Sequence, residues 1–347
     1  MRDITGQWVL QRSVLVTACS ILLLIPLLSK TAGARPLESA HTRAVPYSHR
    51  AKPTTAFPVF EYRLHSVGQV WATLTNFGLF GIGGSSNPLP LKDQVPLGID
   101  YSPGFEFPAG TRNEYMYAGS LWLGGITGTD TLVTVQMLEN STEIAEWNSY
   151  DTVTEVSSQR TSPYYDPNAV AHQQYHAVLS DTFRTNYVDQ LDARLHKPLN
   201  VEISQNSYAW SDLFSRQFVI VEYWVRNIGT RPISKIAFGM FMDADVYNDE
   251  VTAGIDGAQD DISGFLLDAP SLVSDEVSDF VNIAWVADND GDPIAGSYPR
   301  LSPRGVVGIR VIHAPPVEDL SFNWWLLAAV NSLNWGPSRA NSRTPGV

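Results

Sequence analysis

The sequence predicts a mainly β protein: a β-sandwich, of jelly-roll or Ig-like type, with long loops and one short helix. Three observations carry that expectation. Several segments alternate apolar and polar residues with period two. The clearest is Phe218–Arg226, where Val219, Val221, Tyr223 and Val225 share one face. Clusters of Gly, Asn, Asp and Pro punctuate these segments at regular intervals. Only residues 169–182 have helical character, with Asn168 placed to cap them. Many short strands with turn-rich connections suit a sandwich better than an α/β fold.

Residues 1–34 have the layout of a signal peptide. Arg2 and Arg12 supply positive charge, an apolar run extends from Val14 to Leu28, and Ala32-Gly33-Ala34 offers a small-x-small cleavage site. The run is short for a membrane span and contains Pro26, so no span is expected in the mature chain. Val16-Thr17-Ala18-Cys19 has the look of a lipobox but precedes the most apolar stretch. Cys19 is the single cysteine and lies inside the signal. A mature chain cut near Ala34 therefore lacks disulfides and thiolate ligands. Secretion or cell-surface location is the expectation. Residues 35–55 are polar and Pro-containing and read as a flexible leader.

Residues 56–337 read as the β-rich domain, either undivided or split into 56–198 and 199–337. A strand is expected over 70–75, followed by a Gly/Pro-rich loop from Gly78 to Gly110. Gly81–Ser86 lacks the Gly-Lys-Ser/Thr ending of a phosphate loop. Residues 115–126 and 131–137 form an expected hairpin about Thr127–Asp130. After an extended segment at 199–210, the strands at 218–226 and 236–242 read as a second hairpin, turned at Asn227–Thr230. Further strands are expected at 262–267, 280–287, 306–312 and 322–328. Trp71, Trp122, Trp210, Trp224 and Trp285 fall on strands and are expected in the core. The tail, 338–347, is polar and has no closing strand, which reads as a truncated end.

Charge narrows the function. With 23 Lys and Arg against 36 Asp and Glu, the net charge of −13 argues against nucleic acid as a partner. From Ile236 to Pro299 there is no Lys, Arg or His. Within that stretch Asp288, Asp290 and Asp292 occupy alternate positions of a turn, the arrangement in which carboxylates converge on a hard cation. Pro293 stands where an EF-hand needs Gly, so the expected site is a calcium loop between strands. Asp243 and Asp245 end one strand, and Asp260 and Asp261 precede another. Grouped carboxylates repel unless a cation or protons compensate them. These seven residues are the candidate calcium ligands.

Other chemistries find weaker footing. His172 and His176 have the spacing of a helical zinc pair, but Gln173 replaces the Glu that a metalloprotease uses as base. Glu106, Glu114, Glu202 and Glu222 are carboxylates available for glycoside hydrolysis, and no pair stands out. No Gly-x-Ser-x-Gly elbow occurs. Trp147, Trp324 and Trp325 are candidates for stacking on sugar rings, with extracellular polysaccharide or cell-surface components as partners.

The segments Trp71–Gly81, Asn113–Gly125, Ser207–Asp212, Asn227–Thr230, Met242–Val246, Gly257–Asp261, Ala284–Pro293, Ser321–Trp325 and Asn334–Pro337 carry a resemblance. In this order they resemble the N-terminal β-rich region of uncharacterised large secreted proteins of environmental bacteria. That resemblance implies location and architecture, with Ig-like modules and a sorting segment further on, and no chemistry. The expected function is a non-catalytic extracellular structural or adhesive module stabilised by calcium. The alternative is a carbohydrate-binding or glycoside-hydrolysing module.

Overall fold

The computed structural model describes residues 13–19, 59–82, 98–139, 142–149, 151–183, 188, 195–250, 258, 260–270, 278–291, 302–314 and 321–322. Among these there is no helix, and the class is mainly β. No helix is long and apolar enough to cross a membrane among the described residues.

The strands, in chain order, are β1 (Ser13–Cys19), β2 (Tyr62–His65), β3 (Trp71–Thr75), β4 (Leu79–Phe80), β5 (Phe105–Glu106), β6 (Asn113–Glu114), β7 (Ala118–Thr127), β8 (Asp130–Glu139), β9 (Thr142–Ala145) and β10 (Asn148–Ser149). They continue with β11 (Thr154–Val156), β12 (Gln173–Ser180), β13 (Val201–Ala209), β14 (Phe218–Asn227), β15 (Ile233–Asp243), β16 (Tyr247–Asn248), β17 (Ile262–Pro270), β18 (Ser278–Ala287) and β19 (Val306–His313). One antiparallel sheet runs β10-β12-β13-β14-β1-β19-β18-β17, with β11 also on β12. The other runs β16-β6-β5-β3-β4-β7-β8-β9, with β15 on β7 and β2 on β3.

The main apolar cluster draws side chains from both sheets. Val201, Ile203, Val219, Val221 and Tyr223 come from the first, and Leu74, Leu121, Leu123 and Phe238 from the second. Burying each such side chain contributes about 1.5–3 kcal/mol. Polar ties cross the same space: His65 Nε2 meets Ser207 Oγ at 2.8 Å, and Gln205 Nε2 donates to the Thr75 carbonyl at 3.0 Å. Burial pushes the His65 ring down to about 3, so it sits there neutral.

Most expected strands lie where their alternation puts them. β13 buries every second residue from Val201 to Ala209, and β14 buries Val219, Val221 and Tyr223. The β7–β8 hairpin turns through Gly128, whose φ of +65° suits glycine, between the paired Thr127 and Asp130. The loop expected from Gly78 to Gly110 contains β4 and β5. β4 packs so tightly that a Cβ on Gly119 would lie 2.0 Å from the Phe80 ring.

Three expectations are corrected. The short helix at 169–182 is strand β12, paired with β13 at eight positions from Gln173↔Ala209 to Ser180↔Glu202. Tyr175, Ala177 and Leu179 alternate toward the interior, which a strand satisfies and a helix would scatter. The hairpin expected between 218–226 and 236–242 does not form. β14 pairs with β13 and β1, whereas β15 pairs with β7, so the Asn227–Thr230 turn carries the chain from one sheet to the other. The Ile228 and Gly229 amides bond the Asn200 carbonyl there, at 2.9 and 3.1 Å. The tryptophans are also redistributed. Trp224, expected inside, is 52 % exposed, and Trp147 is fully buried.

The backbone of Ser13–Cys19, within the expected signal, forms β1 between β14 and β19. Residues 323–328, part of the last expected strand, lie outside the described residues.

Candidate metal centre

Three strand ends bring the acidic segments together. β17 and β18 pair up to Ile262↔Ala287, so Asp261 and Asp288 are the next residues on the two strands at the open end of that ladder. Asp243 ends β15, and the segment after it reaches the same place: the Val246 amide donates to Asp261 Oδ2 at 2.8 Å. Asp260, Asp288 and Asp290 each present a carboxylate oxygen, all within 4.8 Å of one another.

The turn after β18 is shaped by Asp288 itself. Its Oδ1 accepts from the Asp290 amide at 2.8 Å and from the Gly291 amide. Gly291 has φ +76°, a conformation that favours glycine. These bonds turn the chain so that Asp288 and Asp290 converge. Within this group, two buried carboxylate oxygens lack a hydrogen-bond partner: Asp288 Oδ2 and Asp261 Oδ1. Oxygens of this kind are costly to bury without a proton or a cation.

The electrostatics agree. Burial, with the charges of Asp245, Asp288 and Asp260 adding to it, pushes the Asp261 carboxyl up to about 8 against the bond from Val246. Burial and then the Asp243 charge push Asp245 up to about 7. Burial raises Asp288 as well, with Asp260 and Asp290 acting in the same sense. Segments 243–245, 260–261 and 288–290 thus form one acidic cluster. Of the seven expected ligands, Asp260, Asp288 and Asp290 come within 4.8 Å of one another, and Asp243, Asp245 and Asp261 are coupled to them electrostatically. Asp292 lies outside the described residues. Asp249, by contrast, pairs directly with Arg112, whose Nη2 donates to Oδ2 at 2.9 Å. The donor set, carboxylates on turning backbone, has the hard-oxygen chemistry of calcium.

The remaining candidates separate cleanly. His172 and His176 sit four residues apart on extended backbone, about 13 Å, too far to share a metal. His172 Nδ1 pairs with Ser211 Oγ at 2.8 Å, and His176 Nδ1 with Asn206 Oδ1 at 2.9 Å. Trp147 has no exposed surface and donates Nε1 to the Leu121 carbonyl at 3.1 Å, so its expected role in sugar stacking is corrected to core packing. Trp324 and Trp325 lie outside the described residues.

Glu106 and Glu114 are cross-strand partners, a pairing the sequence did not single out. Both are buried, at 0 % and 2 % exposure. Glu106 accepts from the Tyr101 hydroxyl at 2.7 Å and the Thr111 amide at 2.8 Å; Glu114 Oε2 accepts from the Gly104 and Phe105 amides. Burial raises both carboxyls, and the Glu106 charge raises Glu114 further. A Cβ on Gly104 would lie 2.5 Å from the Gly81 carbonyl and 3.1 Å from Glu114 Oε2, so the backbone passes close against Glu114. Their arrangement holds the β5–β6 turn together.

A second buried polar group also escaped the sequence. His196 Nδ1 lies 3.0 Å from Glu146 Oε1, close enough to pair ionically though not aligned as a hydrogen bond. His196 Nε2 donates to the Asp181 carbonyl at 2.9 Å. The Asp181 carboxylate accepts from the Leu199 and Val201 amides and from the Thr134 hydroxyl. The spacings in sequence are irregular and gave no signal.

Comparison with protein-family models, with curated proteins and with solved structures found no match.

Proposed function

We propose that the protein is a non-catalytic extracellular module, a β-sandwich with a structural or adhesive role, in which calcium ties together the ends of β15, β17 and β18. The observation that carries this reading is the convergence of Asp260, Asp288 and Asp290 beside two buried, unpartnered carboxylate oxygens on Asp261 and Asp288. A cation there offsets repulsion that otherwise drives these acids to hold protons. Asp243 and Asp245 are further ligand candidates, with Asp292 a candidate from the sequence alone. Extracellular calcium would occupy even a site of about 0.1–1 mM affinity. Export rests on the Arg2-to-Ala34 pattern.

Thermal unfolding tests the cation. The midpoint should rise with added calcium and fall with a chelator. An unchanged midpoint contradicts the reading. Mass spectrometry of the secreted chain tests export, with a new N-terminus expected near Arg35.

A further inference from the structure

The outer face of β12, β13 and β14 has a composition that core packing does not explain. Ile203, Gln205, Ser207 and Ala209 point inward on β13, so Ser204, Asn206, Tyr208 and Trp210 line the opposite face. Register places Ser204 across from Trp224, Asn206 across from Glu222, and Tyr208 across from Ile220. Trp224 is 52 % exposed. The Tyr208 and Trp210 rings stack at 6.2 Å with 19° between their planes, and the Trp210 Nε1 bond to the Val170 carbonyl, 3.0 Å, fixes that ring.

Between Trp224 and the Tyr208–Trp210 pair runs a polar row across all three strands. His176 Nδ1 bonds Asn206 Oδ1 at 2.9 Å, and Asn206 Nδ2 donates to Glu222 Oε2 at 3.1 Å. The Tyr208 hydroxyl donates to the same oxygen at 3.0 Å. These bonds position the row in advance and leave Glu222 Oε1 and His176 Nε2 for other partners. The result is ring, polar row, ring along the strands, with about 13 Å between Trp224 and the level of Ile220 and Tyr208.

We infer that this face binds an uncharged polysaccharide lying along β13 and β14. A sugar chain has apolar C–H faces that stack on aromatic rings and hydroxyls that both donate and accept, and this face alternates the matching groups. A protein partner would favour a contiguous apolar centre, which the polar row interrupts here. Charge selects among glycans. Arg226 Nη2 lies 2.6 Å from Glu202 Oε1 and neutralises it, leaving the Glu222 carboxylate on a chain of net charge −13. Acidic polymers are repelled by that arrangement. The inference gives the adhesive reading a ligand and rests on it, while the sheet face does not depend on calcium ligation.

The test is retention of the full chain on insoluble cellulose, xylan, mannan and chitin, with alginate as the acidic comparison. Retention is expected on at least one uncharged polymer and not on alginate. Trp224→Ala and Tyr208→Ala should each weaken it about tenfold. Trp224 is exposed, so its variant should keep the wild-type unfolding midpoint. Binding to none of the uncharged polymers, binding to alginate alone, or undiminished binding by Trp224→Ala overturns the inference. Parallel measurement of the calcium-dependent midpoint separates the two claims: a midpoint blind to calcium sinks the metal site, and absent glycan retention sinks the face.

Discussion

Asp261 and Asp288 stand side by side at the open end of the β17–β18 ladder, one position beyond Ile262↔Ala287, and each keeps a buried carboxylate oxygen without a partner. Two acids in that position oppose folding when both are ionised and support it when a cation lies between them.

A sign reversal follows for Asp288→Asn. The amide oxygen still accepts from Asp290 and Gly291, but the charge is gone. In chelator the variant should be about 1 kcal/mol more stable than the wild type, because repulsion falls. In calcium it should be less stable, because a ligand charge is lost. Denaturant unfolding in both conditions measures this, and the same sign in both would contradict the site.

His196 predicts a pH dependence. Burial alone would lower its pKa, but the Glu146 carboxylate and the Asp181 carbonyl raise it above the ordinary value. A raised histidine contributes stability below about pH 6.5 that is lost as pH climbs through the folded-state value. Asp181, itself raised by burial, acts in the same direction. Stability should therefore fall as pH rises above about 6.5, and His196→Gln should flatten that slope. His196→Ala should cost about 3–5 kcal/mol, since it removes the cation 3.0 Å from the buried Glu146 carboxylate.

Trp147 should behave as a core residue. Trp147→Ala should cost about 3–5 kcal/mol in unfolding free energy. The lost Nε1 bond also leaves the Leu121 carbonyl unsatisfied. A cost below about 1 kcal/mol would place the ring at the surface.

β1 makes a testable link between export and folding. Its backbone pairs with Phe218–Trp224 of β14 and with Ile309–His313 of β19. If the chain is cut near Ala34, as proposed, β1 is removed and the facing edges of β14 and β19 lose their partner. Amide exchange in β14 and β19 should then be faster in the cleaved chain than in the uncleaved one, while β13 keeps its protection. Equal exchange would show that the two edges are protected by other means.

Much of this was legible in the sequence, for physical reasons that differ by element. β13 and β14 announce themselves because one face is buried and the other is not. The acidic cluster was legible because no Lys, Arg or His interrupts residues 236–299, and the strands flanking it fix which ends meet. β12 was not, because its Ala, His and Gln residues tolerate a helix well. Tertiary bonds decide the matter: Gln173 Nε2 and the Tyr175 hydroxyl both donate to the Leu64 carbonyl, at 3.2 and 2.9 Å. Partner choice for β15 was hidden too, since a turn such as Asn227–Thr230 can close a hairpin or change sheets with the same residues. Trp224 lies outside for a related reason, whereas Trp147, between β9 and β10, has no strand parity to read. A tryptophan on a strand is inside or outside according to its parity, and Trp224 shares parity with Glu222 and Arg226.

The most direct measurement is a calorimetric calcium titration of the metal-free chain and of Asp261→Asn. Saturable binding by the wild type, at least tenfold weaker in the variant, is the predicted result. No calcium-dependent heat from the wild type, or equal affinity in both chains, would contradict the cation centre at the ends of β15, β17 and β18.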